Sequence, residues 1–155
     1  MWNLRFSVIL FSIAIAAIGA PGRQESNNEI AAFNEKFRQL IAGADHPGML
    51  ALWANDGVDL MPGEAPLIGK DAIGEWLKQI EASSPGSKVL REELQFYSIR
   101  RSGDWASEWA TEHQIVQPRG KPAIEGYGKM ALMLHRDSHG AWKIQQEMWN
   151  DSPKP

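Results

Sequence analysis

Asp59 is the carboxylate in this chain whose setting could do chemistry. It stands in Val58-Asp59-Leu60-Met61, a short apolar run stopped by Pro62-Gly63. Strand alternation puts Asp59 and Met61 on one face. A carboxylate buried against Met and Trp has a raised pKa and can act as a general base, whereas one at a strand edge would cap amides or meet an Arg. Glu108 and Glu112 form a second pair of candidates in Trp105-Ala106-Ser107-Glu108-Trp109-Ala110-Thr111-Glu112-His113-Gln114. As a strand, this stretch puts Ala106, Glu108, Ala110, Glu112 and Gln114 on one face and Trp105, Trp109 and His113 on the other. Hydrophobicity alone would bury the tryptophan face. Two residues four apart on a strand lie roughly 13 Å apart, so the two glutamates cannot by themselves form a coupled acid and base. In Trp142 to Asn150, alternation puts Trp142, Ile144, Gln146, Met148 and Asn150 together, and the apolar members make that face the core. Gln146 and Asn150 are then neutral polar groups near it, and Trp149 falls on the opposite face.

Other chemistries find no residues here. His135 and His139 with Asp137 between them suggest a metal, but they flank a hairpin turn and read as solvated turn residues. No cysteine is present, which removes thiol catalysis and zinc thiolate sites. There is no Gly-rich phosphate loop, nucleophile elbow or Ser-His-Asp pattern, and no cofactor or metal is expected.

The elements that must position these side chains can be taken in order. Ser26-Asn27-Asn28-Glu29 has the form of a capping box, and Ile30, Phe33, Phe37, Leu40 and Ile41 follow as one helical stripe ending before Gly43. Asp45-His46-Pro47 starts a second helix carrying Met49, Leu50, Leu52 and Trp53, which Asp56-Gly57 ends ahead of the strand Val58 to Met61. Gly69-Lys70-Asp71 introduces a third helix with Ile73, Trp76, Leu77 and Ile80 on one face. Lys88 to Arg101 reads as a strand, and Gly103 to Asn150 as a meander of three antiparallel strands broken at Pro118 to Pro122 and Asp137 to Gly140. The predicted order is ααβαββββ, an α+β fold in which about three N-terminal helices cover a twisted sheet.

The chain of 155 residues is long enough for one domain, and 43% apolar composition suffices for its core. Arg5, an apolar run from Phe6 to Ile18 and Gly19-Ala20-Pro21-Gly22 have the form of a secretory signal peptide, residues 1–22. The run is shorter than the ~20 residues a membrane span needs. Export, to the periplasm or outside the cell, is therefore expected, with a domain at residues 23–152 and a frayed tail at 153–155. Without residues 1–22 the chain has 15 basic and 19 acidic side chains, a net charge of −4. That balance speaks against a nucleic-acid partner, and no membrane partner is expected after the leader is removed.

Three phrases carry a resemblance. They are Trp53-Ala54-Asn55-Asp56-Gly57-Val58-Asp59-Leu60-Met61-Pro62-Gly63-Glu64 continuing to Ile73, Gly103-Asp104-Trp105-Ala106, and Gly140-Ala141-Trp142-Lys143-Ile144 with Met148-Trp149-Asn150. In this order and spacing they resemble the SnoaL-like branch of the nuclear transport factor 2-like superfamily. The resemblance implies a cone, a curved mixed sheet wrapped around helices, with a pocket at its wide end and an outer sheet face often used for dimerisation. It turns Ala106 and Ala110 inward, and with them Glu108 and Glu112. The superfamily includes ketosteroid isomerases, cyclases, epoxide hydrolases, dehydratases and pure binding or assembly domains, so fold leaves function open. Met61 stands where the steroid isomerases have their general base, and Lys129 to Leu134, where their second acid lies, has no carboxylate. The expectation is a pocket for a small apolar organic ligand, with Trp53, Met61, Trp76, Glu108, Met130, Gln146 and Asn150 around it. Asp59, then Glu112, would be the catalytic groups if there is chemistry. A homodimer through the outer face, with Trp105, Trp109 and Trp149, is expected as well, and a dimeric interaction module without chemistry is the alternative.

Overall fold

A computed structural model describes residues 21–155, so the leader predicted at residues 1–22 lies almost wholly outside the described residues. Helix α1 spans Pro21–Ala42 and α2 His46–Leu52. Strand β1 (Trp53–Leu60), the two-residue β2 (Leu67–Ile68) and α3 (Lys70–Ser83) follow. The chain then runs through β3 (Lys88–Ser102), β4 (Trp105–Gln117), β5 (Ile124–Arg136) and β6 (Trp142–Asp151). The six strands form one sheet in the order β2-β1-β6-β5-β4-β3. Among the described residues only β1 and β6 run parallel; every other neighbouring pair is antiparallel.

The α1 stripe packs as its spacing predicts, with Ile30, Phe33 and Phe37 buried and Leu40 and Ile41 partly so. Opposite them lie Ala106 and Ala110 of β4, Leu132 and Leu134 of β5 and Ile144 of β6, which form one apolar core with Leu52, Ile73 and Leu77. Ala106 and Ala110 are buried in this core, so the inward face of β4 is the one the resemblance implies. Trp105 and Trp109 stay outside, each a little over 40% exposed.

Several boundaries differ from those the sequence predicts. Helix α1 already includes Pro21, the first described residue, so Ser26 lies inside it rather than at its cap. Its end is marked by Ala44 instead of Gly43: Ala44 has φ +48°, its N–H donates to Ile41 and that of Asp45 to Leu40, a Schellman turn. Trp53, placed in the second helix by its spacing, opens β1, because it pairs with Ile144 of β6. The pairing is irregular between Trp53 and Val58, and Gly57 is pressed so close to the Trp53 ring that a Cβ there would stand 2.8 Å from it. Strand β2 went unread because two residues carry no period.

The sheet owes its curvature to extra residues. β3 has one between Val89 and Arg91 and another between Tyr97 and Arg100, the latter with Ser98 at φ +53°. In β6, Ile144 pairs with Leu134 and Gln146 with Met133, which leaves Gln145 as the inserted residue. A one-residue insertion turns every later side chain to the other face. Trp142 and Ile144 are inward as expected, but beyond the bulge Glu147 and Trp149 are inward, and Gln146, Met148 and Asn150 are not.

Candidate functional site: a carboxyl-lined chamber

A chamber of about 230 Å³ opens between α1, α3 and the concave face of the sheet. Helix spacing brings Phe37 and Ile41 to it from α1, and Ile73, Trp76 and Leu77 from α3. Trp53, Asp59 and Met61 reach it from β1 and its end, Glu112 and Gln114 from β4, Met130 from β5, and Glu147 and Trp149 from β6. Six residues singled out in the sequence therefore meet here: Trp53, Asp59, Met61, Trp76, Glu112 and Met130. Three do not. Glu108 is buried but accepts a hydrogen bond from the Asn34 amide of α1 at 2.8 Å and lies outside the chamber lining. Gln146 and Asn150 lie on the other face of β6 because of the Gln145 bulge.

Three carboxyl groups share this apolar space. Asp59 and Glu147 are register partners on the adjacent parallel strands β1 and β6. Burial pushes the Asp59 carboxyl up to about 6, only partly opposed by the Leu60 N–H it accepts. Its Oδ1 is buried with no hydrogen-bond partner among the described residues. Glu147 goes further, to about 8, first through burial and then through the charges of Asp59 and Glu112. Burial is the larger cause for both, and the order of titration adds to the difference: Asp59 ionises while Glu147 is still neutral, whereas Glu147 must ionise beside a carboxylate already formed. Glu112 is also raised by burial, and the Trp149 indole, which donates to its Oε2 at 2.9 Å, holds it partly down. That bond passes over Gly128, where a Cβ would stand 2.7 Å from Trp149 Nε1 and 2.9 Å from Glu112 Oε2. The missing side chain on β5 lets β4 and β6 meet across it.

Outside the chamber, Glu108 is raised by burial to about 7 against the pull of Asn34. Glu92 is also raised to about 7, by burial and by the Glu112 charge, and accepts from the Gln114 amide at 2.8 Å. A polar cleft of about 360 Å³ lies beside β1, but Lys70 and Lys143 there are tied to the carbonyls of Trp53 and Ala51. Asp137 accepts from the backbone of His139 and Ala141, as a turn residue does. Among the described residues no three His, Cys, Asp or Glu side chains are grouped to hold a metal ion.

Sequence reasoning missed Glu147, Trp149 and Gln114 as chamber residues. The signal for the first two is a phase break: Trp142 and Ile144 fit one alternation, Trp149 the other, and Gln145-Gln146 between them is where a bulge fits.

No family model matches the sequence, and no curated protein does. Solved structures do match in fold. A ketosteroid isomerase-like protein from Erwinia carotovora atroseptica has a TM-score of 0.72 at 18% identity, covering 84% of this chain and 98% of that one. A putative scytalone dehydratase from Novosphingobium aromaticivorans has a TM-score of 0.68 at 15% identity, covering 84% and 86%. An NTF2-like protein of unknown function from Pseudomonas putida has a TM-score of 0.66 at 23% identity, covering 82% and 87%. The chain thus has the α+β fold of NTF2-like proteins, an open curved sheet with three helices.

Proposed function

We propose that this is a SnoaL-like pocket protein that binds a small, largely apolar organic molecule and moves a proton on it without a cofactor, as an isomerase or related acid/base enzyme does. The observation that carries this reading is the pairing of Asp59 with Glu147 in an apolar chamber, with the proton held more weakly on Asp59 (about 6) than on Glu147 (about 8). At neutral pH, Asp59 is mostly a carboxylate and Glu147 mostly an acid. Two carboxyl groups driven apart in this way can divide the roles of base and hydrogen-bond donor. Asp59 takes a proton from a carbon beside a carbonyl, Glu147 donates a hydrogen bond to the carbonyl oxygen as it becomes an enolate, and Asp59 returns the proton to carbon. Glu112, held by Trp149, adds a third polar contact, and Trp53, Met61, Trp76 and Met130 exclude water. The ketosteroid isomerase-like and dehydratase-like fold neighbours point in the same direction.

The test is deuterium uptake from D2O into the acidic C–H positions of acetophenone and small cyclic ketones and enones, followed by NMR. Protein-dependent exchange is expected. Binding without exchange on any of these would leave a carrier and remove the catalytic part.

The alternative, a dimeric interaction module, is favoured by one surface. Trp105, Trp109, Met133 and Met148 each expose more than 40% of their surface on the convex side of the sheet. Apolar groups gathered in this way mark an interface. We expect a homodimer through this face, built without Trp149, which is inward. Sedimentation at tens of micromolar should give twice the chain mass, and a monomer would contradict it. Among the described residues no helix is long and apolar enough to cross a membrane. In this reading the protein is exported to the periplasm or beyond, and N-terminal sequencing of exported material should find a start between Ala20 and Arg23; an intact Met1 on membrane-bound protein would contradict it.

A further inference from the structure

A second chamber, of about 570 Å³, adjoins the first and shares Ile41, Met49, Trp76, Leu77 and Gln114 with it. Asp59, Glu112 and Glu147 line only the first. The walls that belong to the second alone are largely apolar: Ile80 of α3, Val89 of β3, Val116 and Pro118 at the end of β4, and Ile124 of β5. Of its polar residues, Glu81, Ser84 and Lys88 are exposed, whereas His46, beside Glu81, and Ser87, whose buried Oγ has no partner among the described residues, are half-buried. The carboxyl chamber, at about 230 Å³, is smaller than the roughly 300–1,000 Å³ usual for a ligand pocket. The second chamber brings the pair into the usual range.

We infer that the two chambers form one binding site for an elongated carbonyl compound, with the carbonyl among the carboxyl groups and an apolar body running past Trp76 and Gln114 into the second chamber. This assignment rests on the reading of the first chamber as a binding site and adds the class of ligand. The division of labour is physical. The buried carboxyl groups are gathered in the small chamber, and the apolar walls of the larger one reward the burial of hydrocarbon. Gln114 stands at the junction with its amide nitrogen donating to Glu92, an arrangement that fixes its side chain at the neck. Trp76 is only partly buried and lines both chambers. Polar substituents at the far end of the body are tolerated, because Glu81 and Lys88 there are in solvent.

The experiment is calorimetric titration with acetophenone and its 4-alkyl derivatives from methyl to octyl. Affinity should rise about two- to fourfold per methylene over the first several carbons, as hydrocarbon leaves water. Val116→Trp and Ile80→Trp fill the second chamber without touching the first. Either should weaken binding of 4-octylacetophenone tenfold or more while the constant for acetophenone changes less than twofold. Ile80 is 41% exposed, so its variant serves if Val116→Trp does not fold, as a thermal melt will show. If acetophenone binds but chain length adds nothing, or if the filled variants still bind the octyl compound like wild type, the two-chamber site is overturned and the carboxyl chamber stands. If no member of the series binds, both readings fall.

Discussion

Asp59→Asn should lower the rate of protein-catalysed C–H exchange by about 10²- to 10⁴-fold and leave ligand affinity within a few-fold of wild type. The asparagine keeps the size and the hydrogen-bonding oxygen of Asp59 and removes its basicity, so a loss in turnover with unchanged binding identifies the base. The pH profile gives an independent reading. Exchange measured as kcat/KM should rise as Asp59 ionises near pH 6 and fall as Glu147 loses its proton near pH 8, a bell with its maximum about neutral. These limbs belong to the pair, since the second proton leaves against the charge of the first. Asp59→Asn should abolish the acid limb of whatever activity remains. Turnover unchanged in that variant would remove Asp59 from the mechanism and pass the role to Glu112. Activity that climbs steadily to pH 9 would show that Glu147 contributes nothing as an acid.

Helices and long strands were legible in the sequence because each has a period that tertiary contacts reinforce. The stripe Ile30, Phe33, Phe37 and the alternation of β4 describe surfaces that do meet. For β4 the residues alone pointed the wrong way. The tryptophans are the more hydrophobic set, yet Ala106 and Ala110 face the core and Trp105 and Trp109 stay outside; the resemblance was needed to choose. In β1, Asn55-Asp56-Gly57 has turn composition and the start at Trp53 is set by pairing with Ile144, which lies about ninety residues away. The candidate site was half legible. Asp59 and Met61 both lie past the irregular stretch between Trp53 and Val58, with no break between them, so simple alternation placed them on one face. Glu147 lies two residues past the bulge at Gln145, and the same rule applied across that bulge put it on the wrong face. Its partner Asp59 could be found from the sequence and the pair could not, since the pair exists only through the parallel register of β1 and β6.

A protein built this way should be less stable at pH 8.5 than at pH 5, the reverse of the usual acid sensitivity. A carboxyl whose folded pKa is raised binds its proton more tightly in the folded state than in the unfolded one. Its neutral form is therefore compatible with the fold, and stability is lost as pH rises from the unfolded value, 3.8 for Asp59 and 4.5 for the glutamates, through the folded one. Burial raises Asp59 to about 6, Glu92 and Glu108 to about 7 and Glu147 to about 8, so the loss begins near pH 3.8 with Asp59 and ends near pH 8 with Glu147. Burial raises Glu147 furthest of these groups, and among the described residues no cation lowers it. Glu147→Gln keeps the shape of the protonated acid and cannot ionise. Its melting temperature should match wild type near pH 5 and exceed it at pH 8.5 by about 5–10 °C, the equivalent of a few kcal/mol for a domain of this size. A thermal melt of both proteins across that range decides the matter. Equal slopes would mean that Glu147 is charged at neutral pH, through a compensating group in its chamber. The same variant should keep ligand binding and lose exchange activity, because an amide still donates a hydrogen bond but has no acidic proton to share with the enolate. Stability gained at the site where activity is lost is the signature of a charge kept buried for chemistry.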